Sequence, residues 1–129
     1  DFVRAVNQVR QPFFCNSAAQ AAAIEALRHQ DAVAERVERA IMARVDIEDG
    51  LRDMGIEPAE SNANFAWFDL PVPDGEDTGA VEAAVLRGLA ERGVIVRAGG
   101  ALGKPGALRV TYGTPGQNRR FLRALRELI

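Results

Sequence analysis

The chain's 129 residues are the length of one domain, and 47% apolar with 26% charged residues is ordinary for a globular protein that buries a core. A net charge of −2 gives no basic footprint for nonspecific nucleic-acid binding, no apolar run approaches the roughly 20 residues of a membrane helix, and no signal-peptide pattern is present. Cys15, the single cysteine, excludes an internal disulfide framework, so a cytoplasmic protein with neither nucleic acid nor membrane as partner is expected. The chain opens on Asp1 and Phe2, already inside a helical pattern and without an initiator methionine, and is read as a piece of something longer.

Taken in order, Phe2, Val6 and Val9 recur at helical spacing, and Pro12 stops that helix. Cys15, beside Phe13 and Phe14, reads as a small buried filler. Ser17 and Gln20 have the spacing of a reciprocal capping box ahead of an alanine-dense helix that carries Ile24 and Leu27. A long helix follows from a cap at Asp31 through Val33, Val37, Ile41, Ile47, Leu51 and Met54 to Gly55, with Gly50 a weak point by about 1 kcal/mol relative to alanine, at which the helix can bend or break.

Asn64 to Leu70 alternates like a strand and is closed by Pro71 and Pro73. Val81, Ala84, Val85 and Leu89 mark a helix ended by Gly93. Val94 to Thr114 is then two β-branched runs around a Gly- and Pro-rich loop, a strand, a loop and a strand. Thr114, Pro115 and Gln117 open the last helix with a capping box, and Phe121, Leu125 and Leu128 form its buried stripe. The fold class is therefore α/β, an α+β layer: a helical arm over residues 1–55 and a small, roughly three-stranded sheet domain over residues 56–129, with helices against the sheet.

Few residues offer chemistry. The glycines around Lys104 do not make a phosphate loop, because Ala98 and Pro105 stand where a glycine and a Ser or Thr are needed, so Lys104 reads as a solvated loop tip. His29 has neither cysteine nor a second histidine beside it, so no metal site is expected. The serines and threonines have no histidine at a motif spacing, and Glu35, Glu38, Asp46 and Glu48 lie among arginines on the long helix as a solvated face. No catalytic residue is assigned. Arg97 and Arg109 differ, since each sits within an apolar strand pattern where a guanidinium is costly unless an anion pairs with it. They read either as sheet-edge arginines bridging to Asp69 or Glu91, or as two forks converging on a carboxylate or phosphate.

Four stretches in sequence carry a resemblance: Val9 to Gln20, Ser61-Asn-Ala-Asn-Phe65, Gly93-Val-Ile-Val-Arg97, and Leu108-Arg-Val-Thr-Tyr-Gly-Thr114. From about residue 8 onward their order and spacing resemble the C-terminal portion of the histidinol-phosphate aminotransferases, a branch of the fold-type I, pyridoxal-phosphate-dependent transaminases. The resemblance implies that Arg109 grips the substrate's anionic end, the carboxylate of glutamate or the phosphate of histidinol phosphate, with Arg97 beside it. Asn16 and Asn64 match motif positions too and are assigned structural work, holding the turns that join the helical arm and sheet to the rest. The resemblance further implies a homodimer, a role in histidine biosynthesis, and a Schiff-base lysine upstream of Asp1, so that this chain alone is inactive and holds no covalent cofactor. The alternatives are an aromatic or broad-specificity aminotransferase, and a non-catalytic anion-binding α+β module.

Overall fold

The computed structural model describes residues 1–10 and 14–129, so the helix stop expected at Pro12 and the neighbour Phe13 lie outside the described residues. The described chain divides into two compact units, Asp1–Val37 and Glu38–Ile129.

The first unit holds α1 (Phe2–Val9), α2 (Ser17–Ala26) and the first turns of α3 (Gln30–Arg52). Asp1 caps α1 by accepting from the Val3 amide at 3.1 Å. The cap of α2 is Asn16 rather than Ser17. The Asn16 side chain accepts from the Ala19 amide at 2.8 Å, and the Gln20 side chain donates back to the Cys15 carbonyl at 3.0 Å. The reciprocal box expected of Ser17 and Gln20 is therefore not formed: Asn16, at least as good an acceptor as Ser, takes the cap, and Gln20 donates to a carbonyl instead of accepting from the cap amide. Cys15 is exposed, not a buried filler. The helix α3 begins at Gln30, which places Asp31 in its first turn, where its charge still favours the helix dipole.

The second unit contains the rest of α3, then β1 (Phe65–Asp69), α4 (Thr78–Glu91), β2 (Arg97–Ala98), a 3-10 turn at Gly100–Leu102, β3 (Ala107–Thr111) and α5 (Pro115–Arg126). The sheet is antiparallel with β3 in the centre, in the order β1-β3-β2. Strand alternation sends Ala66 and Phe68 of β1 and Leu108 and Val110 of β3 to one face, where all four are buried. That face is covered by Val85 and Leu89 of α4, Phe121, Ala124 and Leu125 of α5, and Ile47 and Leu51 of α3. This is the helix-on-sheet layer read from the alternation and the stripes.

Two elements differ from expectation. Residues 94–96 take no strand pairing, so β2 is only two residues long. The long helix α3 runs unbroken through Gly50, whose hydrogen takes the place of a methyl group that would stand 2.4 Å from Leu122 Cδ1. The glycine there serves close packing of α5 on α3, not a bend. Gly93, with φ +70°, ends α4 in the left-handed conformation expected of it. The box at Thr114 and Gln117 caps α5 with Pro115 in its first turn.

Candidate functional site: an arginine row on the open face of the sheet

Residues opposite one another in an antiparallel pair point to the same face. The register pairs Trp67 with Arg109 and Arg109 with Arg97, so a single row, Trp67, Arg109, Arg97, crosses all three strands on the face away from the core. Phe65 is the diagonal neighbour of Arg109, and its ring centroid lies 5.0 Å from the guanidinium carbon, a cation–π distance. Arg109 is half-buried and Arg97 exposed. The two arginines read from the sequence as a pair are thus brought together.

Their electrostatics are unbalanced. Like charges directly opposite in a sheet repel, and neither arginine makes an ion pair among the described residues. Neither bridge of the structural reading is formed: Glu91 makes no ion pair among the described residues, and Asp69 pairs instead with Lys104, whose Nζ lies 2.6 Å from one carboxylate oxygen and 2.7 Å from the other. Lys104 is exposed, as a loop tip is, and at the surface it also pairs with the end of β1. Arg109 Nε is the buried side-chain nitrogen or oxygen that, among the described residues, has no hydrogen-bond partner. A buried donor of a permanently charged group left unpaired is costly.

The site's support includes residues that the sequence reading passed over. Glu82 of α4 is buried, and its carboxylate accepts from the Gly100 amide at 3.1 and 3.2 Å and from the Gly106 amide at 2.7 Å. Asn118 of α5 is buried too, accepting from the Gly113 amide at 2.8 Å and donating to the Ala43 carbonyl at 3.3 Å. Both had a signal. Glu82 precedes Val85 and Leu89, and Asn118 precedes Phe121 and Leu125, by three and seven residues, which places each polar group in line with a buried stripe.

Elsewhere, Glu48 of α3, read as part of a solvated face, joins Arg44, Arg52 and the Tyr112 hydroxyl, at 3.9, 3.4 and 3.4 Å. Burial and then the Glu48 charge raise the Tyr112 phenol above its ordinary value, against an opposing pull from Arg44. Arg44 also donates to the Ser61 carbonyl and the Asn62 side chain, fixing the turn that enters β1, while the Asn64 carbonyl accepts from the Tyr112 amide at 3.1 Å. A cleft of about 320 Å³ between Gly93–Val96 and Gly113–Phe121 is not lined by either arginine of the row. His29, exposed, sits 3.2 Å from Glu25 at the end of α2, as a surface histidine does. No described helix is long and apolar enough to cross a membrane.

The chain matches the family described as aminotransferase class I and II over residues 1–125, and it belongs to that family. Among individual relatives it is 40% identical over 124 residues to histidinol-phosphate aminotransferase 2 of Pseudomonas fluorescens (strain Pf0-1), covering 96% of this chain and 31% of that protein. It is 35% identical over 127 residues to the histidinol-phosphate aminotransferase of Geobacillus sp. (strain WCH70), covering 98% and 33%. The crystal structure of histidinol-phosphate aminotransferase from Sinorhizobium meliloti in complex with pyridoxal-5'-phosphate is similar with a TM-score of 0.72 at 25% identity, over 97% of this chain and 33% of that one. The chain thus spans about a third of the length of these relatives.

Proposed function

We propose that this chain supplies the substrate-anion grip of a longer, homodimeric aminotransferase that exchanges an amino group between histidinol phosphate and 2-oxoglutarate or glutamate. Arg109 takes the carboxylate of the amino acid or the phosphate of histidinol phosphate in a forked, charge-assisted contact, and Arg97 is the second cation beside it. The observation that carries this reading is the unpartnered Arg109 Nε on a strand in register with Arg97. The names of the relatives supply the substrates.

Pyridoxal phosphate, the cofactor implied by the family, supplies the carbonyl and electron sink that amino transfer needs. Its covalent attachment takes a lysine amine, and the residues of this chain do not fit that role, because Lys104, the sole lysine, is held against Asp69. This chain's own contribution is to bind and orient. Arg109, backed by Phe65 and flanked in the row by Trp67, presents its fork with little freedom left to lose on binding.

Steady-state assay of the longer enzyme should give a higher kcat/KM for histidinol phosphate than for phenylalanine, because the phosphate offers the two guanidinium groups nearly twice the charge and one more acceptor oxygen than the carboxylate of phenylalanine does. A preference for phenylalanine would move the reading to the aromatic aminotransferases. Borohydride reduction of the cofactor-loaded enzyme, followed by peptide mapping, should leave residues 1–129 unlabelled. Cofactor found on Lys104 would overturn the assignment of the reactive lysine to another part of the protein.

A further inference from the structure

The row depends on an edge strand that has almost no register of its own. With only Arg97 and Ala98 paired to β3, β2 could slip along its neighbour unless something outside the ladder holds it. The connection from β2 to β3 is where that hold is found. Its first turn is closed by the Gly99 amide donating to the Ala107 carbonyl at 2.8 Å. The backbone there is so close that a side chain at Gly99 would stand 2.5 Å from the carbonyl oxygens of Ala107 and Lys104.

Both ends of the connection reach the same buried carboxylate. Glu82 accepts from Gly100, just beyond β2, and from Gly106, just before β3. Three N–H···O contacts converge on two oxygens, an arrangement that needs an acceptor without a donor of its own, which is a carboxylate and not an amide. Gly106 in turn accepts from the Leu70 amide at 2.8 Å, so the same corner is tied to the end of β1.

The geometry points to Glu82 as a positioning residue for Arg97: by fixing both ends of the β2–β3 connection from α4, it keeps Arg97 opposite Arg109 so that the pair can take one anion. Glu82 lies on the core side of the sheet and acts on the substrate only through the edge strand. This rests on the reading of the two arginines as the anion grip.

The test is a double-mutant cycle in the longer aminotransferase that contains this chain, with glutamate and histidinol phosphate as substrates. Glu82→Gln keeps an acceptor for Gly106 but removes the charge and sets an NH₂ group where Oε1 now lies 3.2 Å from the Gly100 amide, which loosens the β2 end of the connection, so KM should rise about fivefold with kcat within twofold, as loss of uniform binding does. In an Arg97→Ala background the same substitution should change KM less than twofold, since the residue it positions is gone. A merely structural Glu82 would raise KM equally in both backgrounds, and that result, or an unchanged KM in the single variant, would overturn the proposal. Should Glu82→Gln fail to fold, Gly100→Ala approaches the clamp from the exposed side, its methyl group 3.1 Å from the Glu82 carboxylate, and the same pattern is expected. Arg109→Ala is the control: if it leaves KM unchanged, the anion grip itself is refuted and Glu82 falls with it. If it raises KM while the Glu82 and Gly100 variants do not, Glu82 alone is refuted.

Discussion

Arg109→Ala in the longer aminotransferase is expected to lower kcat/KM about 100-fold for glutamate and for histidinol phosphate alike, with most of the loss in KM. A hydrogen bond to a charged group is worth about 1.5–3 kcal/mol, and a forked pair made from a half-buried site lies at the upper end of that range. That converts to between roughly tenfold and more than 100-fold in binding. The desolvation of Arg109 is already incurred in the free protein, where its Nε has no partner, so little of the attraction is offset when the anion arrives. Arg97 is exposed and its field is screened, so Arg97→Ala should cost about tenfold or less. Arg109→Lys should not restore the loss, because an ammonium has no fork and no planar surface to lay on Phe65.

The same substitution separates function from stability. Removing Arg109 abolishes the cross-strand repulsion with Arg97 and the orphaned Nε, which offsets the loss of its contact with Phe65, so the thermal midpoint of the variant should stay about level. An arginine kept for structure would behave in the opposite way, with stability falling and both kinetic constants holding. That outcome would remove Arg109 from the site.

What could be read from the residues follows from the range of the forces involved. Local signals survived: the Thr114–Gln117 box, the left-handed Gly93 and the alternation of β1 each act within a few residues and appear in the structure where expected. The arginine pair was legible because a charge inside a β-branched run is a conflict visible in the chain itself, and the short loop between the two runs favours their pairing as neighbours. Long-range pairings were not. Nothing within the loop says that Lys104 meets Asp69 across 35 residues, or that Glu82 meets the amides of Gly100 and Gly106, since backbone donors carry no side-chain signature. Gly50 belongs with these: propensity marks it as a weak point of the isolated helix, while the requirement for glycine at that position comes from Leu122 on another helix. The shortness of β2 belongs here too, because Val94–Val96 have strand character but no strand partner across from them.

Two phenylalanines three positions apart in β1 test whether the faces of the sheet are assigned correctly. Phe68 is 1% exposed, pairs in register with Leu108, and its ring meets Phe121 of α5 at a centroid distance of 6.4 Å. Phe68→Ala should therefore cost about 3–5 kcal/mol, combining lost transfer energy with a cavity that the sheet and three helices cannot close. In urea denaturation of the 129-residue chain that corresponds to a midpoint lowered by roughly 1–5 M or to outright unfolding, given slopes of about 1–3 kcal/mol per molar. Phe65, on the opposite face, is half-buried and rests against Arg109 rather than against the core. Phe65→Ala should cost no more than about 1–2 kcal/mol, the cation–π contact plus partial burial, while raising KM for the anionic substrate because the guanidinium loses its backing. Equal destabilisation by the two substitutions would mean that both faces of the sheet are packed alike, and the open face that Arg97 and Arg109 require would not exist.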